Sequence, residues 1–315
     1  MKILLSALAL SVGLAVAGPF AAAQVTSPTV TITQQGTGNT AAAEQYDFDP
    51  GAIPFIHIQQ TGTDNHVGGP GGTTAGVIQH GSITGAEATV TQSGTGNNAG
   101  IVQADIGPHI PTVSIAQTGN ANSAMVRQEE SGGADVIVNQ NGTGNATDVT
   151  QSASDTRIRV TQTGTGNGAT IVDQGTALFS GPSVVQNGDG NTVSATAIDN
   201  NFSDHTITQT GLRNHATTNQ YSVSTSTLAI TQTGADNQAD ITQTGIGQSA
   251  AINQNGNGNL ASITQIGVNE ILIGNSALIT QVGNNNSATL RQVGDGFAST
   301  ISQIGAGNYA NVYQH

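Results

Sequence analysis

Four glutamines, Gln232, Gln243, Gln254 and Gln265, stand eleven residues apart in one stretch of the chain. A carboxamide is a poor nucleophile and a poor proton carrier, but it holds two donor hydrogens and an acceptor oxygen. In an in-register stack, identical amides can therefore bond to one another above and below, forming ladders along the axis. The recurring side chain thus suggests association rather than turnover.

The spacing continues through the chain. Taking the first Gln of each unit as a mark gives Gln34, Gln60, Gln92, Gln117, Gln140, Gln162, Gln186, Gln209, Gln232, Gln254, Gln281 and Gln303. Most of these twelve marks are 22 to 27 residues apart, and one gap is 32. In every unit Gly stands two residues after the mark, Asn five after, and Ile or Val two before. A second Gln follows eleven residues later in nine of the twelve, as at Gln243, Gln265, Gln292 and Gln314. Such periodicity signals a repeat architecture. The Gln positions, in phase with Ile and Val, are expected to form the ladders. Asn39, Asn97, Asn122, Asn237, Asn259, Asn286 and Asn308 are candidates for a second set, with turn capping as the competing role.

Catalytic constellations are not apparent. The seven His (His57, His66, His80, His109, His205, His215, His315) are scattered, and there is no Cys. No nucleophile elbow, metal-spaced His pair or phosphate loop stands in a supporting context. Gly-Asp-Gly at 188–190 and 294–296 is isolated, so a calcium-loaded repeat is not supported. Thr flanks the mark on both sides only at Thr161/Thr163, Thr208/Thr210 and Thr231/Thr233, too discontinuous for an ice-ordering array. The expectation is a protein that is not an enzyme and needs no cofactor.

The elements that must position the amides follow from the alternation. Leu228, Ile230, Gln232 and Gly234 share one face of a strand, and Asn237, Ala239, Ile241, Gln243 and Gly245 share one face of the next. Thr231, Thr233, Asp240, Thr242 and Thr244 take the other face, which suits water. Between them lie Gly, Asp and Asn, residues that accept positive φ. An eleven-residue half-unit is too short for a strand and a packed helix. The fold expected is all-β: a parallel two-sheet β-solenoid, cross-β in character, of about twelve strand-turn-strand repeats.

Composition agrees with a thin core. Only 8% of residues are charged and 3% aromatic, while Gly numbers 42. Residues 1–23 read as a signal peptide, with Lys2, an apolar run from Ile3 to Ala17, and small residues at Ala21–Ala23. The remaining 24–315 are expected to be one repeat domain with loop insertions, carrying no Lys and five Arg against 19 acidic residues. That balance disfavours nucleic acid and anionic membranes as partners.

Insertions rich in Gly, Pro, Asp and Ser fall at 45–55, 68–87, 104–111, 129–133, 175–182, 195–204 and 268–274. Unit two has Gly71 where its second Gln is expected, and unit seven has Ala197. Unit six is out of phase, with Asp173 in place and Gln174 next. Asp148, Asp173, Asp189, Asp236, Asp240 and Asp295 read as rung-edge residues, either gatekeepers against premature assembly or simple solubilising charges.

The last unit keeps Gln303, Gly305, Asn308, Ala310, Val312 and Gln314 in register, with no polar cap, and only a few residues precede Val30. Uncapped solenoid ends expose unpaired backbone and are expected to stack on another copy.

The pattern Gln-x-Gly-x-x-Asn-x-Ala-x-x-x-Gln, as at Gln92–Gln103, Gln117–Gln128, Gln232–Gln243 and Gln281–Gln292, resembles the curlin repeat of bacterial curli fibres. The resemblance implies a parallel β-solenoid that is secreted and assembles on the cell surface as a functional amyloid for adhesion and biofilm matrix. It also implies a curli nucleator and an outer-membrane secretion pore as partners. This chain has more repeats than curlin subunits usually do and a shorter N-terminal segment. The alternatives are a minor or nucleating subunit, or a non-fibrous β-solenoid surface protein, either an adhesin stalk or an ice-binding one.

Overall fold

The computed structural model describes residues 3–8, 28–49, 52–68, 76–81, 85–104, 110–130, 132–175, 181–267 and 273–315. The chain divides into two compact units, 1–143 and 144–315.

The first unit contains β1 (Ile3–Leu8), β2 (Thr29–Thr37), β3 (Thr40–Tyr46), β4 (Phe55–Thr63), β5 (His66–Val67) and β6 (Val77–His80). It continues with β7 (Glu87–Thr95), β8 (Asn98–Ala104), β9 (Thr112–Asn120), β10 (Ser123–Glu129) and β11 (Asp135–Thr143). One sheet runs β2-β4-β7-β9-β11, every pair parallel. In the other, β3, the pair β5 and β6, β8 and β10 follow one another, also parallel.

The second unit begins with β12 (Ala146–Gln151), β13 (Arg157–Thr165), β14 (Gly168–Gln174), β15 (Pro182–Asp189), β16 (Thr192–Ile198) and β17 (Asp204–Leu212). Next come β18 (His215–Ser224), β19 (Thr227–Ala235), β20 (Gln238–Ile246), β21 (Ser249–Asn257) and β22 (Leu260–Ile266). The last four are β23 (Ser276–Asn284), β24 (Ser287–Val293), β25 (Ala298–Ala306) and β26 (Tyr309–Gln314). Its even-numbered strands form one parallel sheet and its odd-numbered strands the other. Each unit is therefore a parallel β-solenoid, and no helix occurs among the described residues. That is the all-β class the repeat predicts.

Period-two alternation sets which side chains are inside. In β9 and β11 the buried residues are Val113, Ile115 and Gln117 and, opposite them, Val136, Val138 and Gln140. Ile207, Ile230, Ile252 and Ile279 stack in the same way in the second unit and have no exposed surface. Burying each such Ile contributes roughly 2 kcal/mol.

Two backbone positions make the corner after the first strand. The residue two after the mark has φ between +110° and +133° where values are given for the first strands of interior rungs, as at Gly164 and Gly256. A Cβ on Gly164 would lie 2.0 Å from Gly188 O of the neighbouring rung, so the close approach itself requires glycine. The residue four after the mark is left-handed in every unit, from Gly38 (φ 68°) to Gly307 (φ 69°), including Ala121 (φ 54°) and Arg213 (φ 50°).

One expectation changes, that for the second Gln of unit two. The leader, 1–23, lies mostly outside the described residues, but its described part is β1, which pairs antiparallel with β3 and covers that sheet's N-terminal edge. The second Gln of unit two is present as Gln79, opposite Gln45, rather than lost at Gly71. The rung is shared by β5 and β6, so residues between them displace the Gln in sequence without displacing it in space. Most other expected insertions fall wholly or partly outside the described residues.

Candidate functional site: the amide ladders

The first Gln of each rung bonds directly to its neighbours. In the first unit, Gln34, Gln60, Gln92 and Gln117 each donate Nε2–H to the Oε1 of the next, ending at Gln140, over 2.6–2.8 Å. In the second, Gln162, Gln186, Gln209, Gln232, Gln254 and Gln281 do the same, ending at Gln303, over 2.8–2.9 Å. The second hydrogen of Nε2 goes to a backbone carbonyl: Gln232 to His215 O at 2.9 Å and Gln254 to Gln238 O at 2.8 Å. Full satisfaction of this kind is what makes a buried amide tolerable in an apolar core.

The other sheet holds the second ladder. Gln243, Gln265 and Gln292 donate in turn, ending at Gln314, over 2.9–3.0 Å. Gln45, Gln103, Gln128 and Gln220, which are among the nine second glutamines of the repeat, belong to it, and so does Gln79, which the spacing does not reveal. All five follow the same alternation, and only the insertion in unit two hides Gln79.

The Asn positions do both things expected of them. Asn259 Nδ2 donates to Asn237 Oδ1 at 3.0 Å and to Gly283 O at 2.8 Å, so it is ladder and corner cap at once. The backbone N–H of Asn259 also donates to Asn237 Oδ1 at 3.1 Å. Asn97, Asn122, Asn237, Asn286 and Asn308 repeat the ladder bond, as do Asn65, Asn167, Asn191 and Asn214, which the sequence list omitted. Asn39 is the acceptor for Asn65 and caps Gly62 O at 3.0 Å. The Asn ladder runs opposite to the Gln ladder: in the amide-to-amide bonds each Asn after Asn39 donates to the preceding rung, each Gln to the following one. Their dipoles oppose rather than add.

The opposite corner carries a mixed row invisible in the repeat pattern. Ser226 N–H donates to Ser203 Oγ, Gln248 N–H to Ser226 Oγ, and Asn275 N–H to Gln248 Oε1, at 3.0–3.3 Å. Side-chain oxygens of different residues do one job there, so no single letter recurs.

Within the second unit the second ladder is interrupted. The register puts Asp173 beside Gln151 and Ala197 between Asp173 and Gln220. Asn200, three residues after Ala197, reaches the vacant place and donates Nδ2–H to Gln220 Oε1 at 2.9 Å. Asp173 is buried, not at a rung edge as expected, while Gln174 is exposed, so unit six keeps its phase. Burial pushes the Asp173 carboxyl up to about 7, against a smaller lowering by the Thr156 hydroxyl. His205 fills an apolar position, in register with Leu228. Its Nε2 bonds the Thr218 hydroxyl, and burial pulls its pKa down to about 4. Among the described residues, the buried side-chain atoms that lack a partner are Asp173 Oδ2, Asn200 Oδ1, Asn201 Oδ1 and His205 Nδ1, and all lie here.

Of the other expected edge acids, Asp236 is exposed and accepts two 2.8 Å bonds from Arg213, which lower its pKa. The corner charges there are complementary rather than like.

A family model described as Curlin associated repeat matches residues 234–267 and 274–315. The matched segments take in β20 to β26 and the last two residues of β19, the part whose repeats are most regular. The resemblance to the curlin-repeat family is upheld by this match, and the repeat with its β-solenoid fold fits a curli-like structural subunit. No curated protein matches the chain.

Proposed function

We propose that the chain is a secreted structural subunit that assembles end to end into curli-like amyloid fibres on the cell surface, for adhesion and biofilm matrix. The observation that carries this reading is the state of the outermost rungs. Val30 and Ile32 of β2 are half-buried, whereas Ile56 and Ile58, opposite them on β4, have no exposed surface. Ala310 and Val312 of β26 are likewise half-buried, against buried Ala288 and Leu290 on β24. Another rung laid on the C-terminal face, or on the β2 edge at the other end, would bury these side chains and continue the backbone pairing there, and pairing on β3 requires that β1 be removed with the leader.

Ladder polarity supports one orientation of the incoming copy. On the C-terminal face Gln303 presents Nε2 as donor and Asn308 presents Oδ1 as acceptor, following the directions of the bonds below them. On the N-terminal face Gln34 presents Oε1, and Asn39 presents its backbone N–H. The C-terminal face of one molecule is thus complementary to the N-terminal face of another, while matching the same position on two like faces sets donor against donor at one amide and acceptor against acceptor at the other. A nucleator and an outer-membrane pore belong to the same reading. The role of the ladder residues is structural and needs no cofactor.

The test is to purify residues 24–315, incubate them, and examine the product by electron microscopy and fibre diffraction. Polydisperse fibres with a meridional reflection near about 4.8 Å are expected. A persistent monomer without that reflection overturns the assignment, and a fixed-size oligomer would point to a stalk.

A further inference from the structure

Every Gln-to-Gln bond of the second ladder in the second unit runs one way, Nε2 of one rung to Oε1 of the next. Backbone carbonyls lock that direction. Gln243 also donates to Thr227 O, Gln265 to Ser249 O and Gln292 to Ser276 O, at 2.9–3.1 Å. Flipping an amide would set its oxygen against the carbonyl it now bonds. Asn200 obeys the same direction by giving Nδ2–H to Gln220. That leaves Asn200 Oδ1 as the atom to be supplied from the rung of Asp173.

Asp173 Oδ2 and Asn200 Oδ1 are both buried, both unpartnered, and their residues line one small cavity. Two oxygens that carry only lone pairs repel; one hydrogen between them converts the contact into a bond. We propose that Asp173 is a proton-binding site, held as the carboxylic acid, whose Oδ2–H donates to Asn200 Oδ1 and closes the gap in the ladder. Direction is then continuous from Gln151 Nε2 to the Thr156 hydroxyl, to Asp173, to Asn200 and to Gln220. A proton does at this rung what an amide hydrogen does at the others.

The surroundings favour the neutral acid. Burial is the dominant influence on Asp173, and no cation is placed against it. His205, from β17, is the other titratable residue lining the cavity, and it is held neutral by its own burial. Arg157 on β13 and the acids Asp199 and Asp204, beside Asn200 and His205, are exposed to solvent. Loss of the proton leaves a buried negative charge facing a carbonyl oxygen, so the joint between β14 and β16 is the place where rising pH loosens the stack.

Asp173→Asn replaces the acid with a permanent N–H donor of the same shape. The full chain and this variant are unfolded in guanidinium between pH 4 and pH 8. The ratio of the wild-type unfolding constant to that of the variant is expected to grow about a thousandfold over this range. A ratio that does not change with pH overturns the proposal. Should the variant fail to fold, infrared spectroscopy of the wild type still decides. A deuterium-sensitive carboxylic-acid band from a buried group at pH 6, lost on titration to pH 8, is expected, and its absence overturns the assignment. Mn²⁺ and Zn²⁺ added separately at pH 8 should leave stability unchanged. Stoichiometric uptake of either, lost in Asp173→Asn, would make the two oxygens cation ligands and also overturn it.

Discussion

Gln60 Nε2 donates to Gln92 Oε1 over 2.8 Å across a sequence separation of 32, and Gln92 donates to Gln117 over the same 2.8 Å across 25. Insertions are thus kept outside the register, because a rung that slipped would strand buried amides on both neighbours. Gln92→Leu tests this directly. It keeps the volume but removes the side-chain acceptor of Gln60 Nε2, which keeps only its backbone carbonyls, and leaves Gln117 Oε1 without the donor of the preceding rung. With about 1–3 kcal/mol for each of the two orphaned groups, a loss of about 2–6 kcal/mol is expected in denaturant unfolding. Thr91→Leu, one residue away on the exposed face, should change stability by less than about 0.5 kcal/mol.

Gly164 and Gly166 share one corner and both have positive φ, yet their substitutions should differ sharply. A Cβ on Gly164 would meet Gly188 O at 2.0 Å, backbone that cannot move without breaking the β13–β15 ladder. A Cβ on Gly166 meets nothing within 4 Å. Gly166→Ala should therefore cost only the left-handed penalty, about 1–2 kcal/mol. Gly164→Ala should cost more than about 4 kcal/mol or prevent folding. Equal costs in thermal unfolding would show that the close approach is relieved at little expense.

The converse substitution should stabilise. Ala121 stands at the corner position that Gly166 occupies, with φ 54°. Ala121→Gly removes the left-handed penalty at the cost of a more flexible unfolded chain, leaving a net gain of about 0.5–1 kcal/mol. Calorimetry on the variant measures the sign.

What the sequence showed and what it hid divide along a physical line. Position along a strand is encoded by residue type at period two, so Gln117, Ile115 and Val113 announce a buried face without any coordinates. Left-handed corners are encoded by glycine at most units. Direction is not encoded: an amide reads the same whichever way its hydrogens point, and only the carbonyl beside Gln232 or Gln243 fixes it. Gln79 was hidden because spacing counts residues while register counts strands. Asn200 was hidden because a side chain reaching in from a corner substitutes for one that belongs to the strand. Asp173 was misplaced on the edge because an acid in a core is rare unless something satisfies or neutralises it.

Sealing one face should separate folding from assembly. Val312 on β26 is half-buried and stands opposite buried Leu290. Within a monomer, Val312→Lys can turn its ammonium to solvent, so secondary structure by circular dichroism should be unchanged. In a fibre the same charge would be buried against the next copy, so growth should stop. Fibres forming at the wild-type rate would place the joint between molecules elsewhere.

Asp173 and His205 have opposite effects on stability against pH, and this hides both in the wild type. Asp173 has a folded pKa raised from 3.8 to about 7. Between these values the folded state binds the extra proton, so this contribution is full below about 4 and is lost as pH rises to about 7. It amounts to on the order of 4 kcal/mol. His205 has a folded pKa lowered from 6.5 to about 4. Between these values the unfolded state binds the extra proton, so its contribution is present above 6.5 and is lost as pH falls to about 4. From about pH 4 to 6.5 each state therefore carries one proton on the pair, and the wild-type profile should be nearly flat. Replacing the buried polar pair together, His205→Leu with Thr218→Ile, copies the residues found in register at Leu228 and Ile241. The double variant should expose the Asp173 slope alone, with stability falling steadily from pH 4 to 7. A flat profile in the variant would mean that Asp173 titrates near its ordinary value and that no proton closes the ladder break.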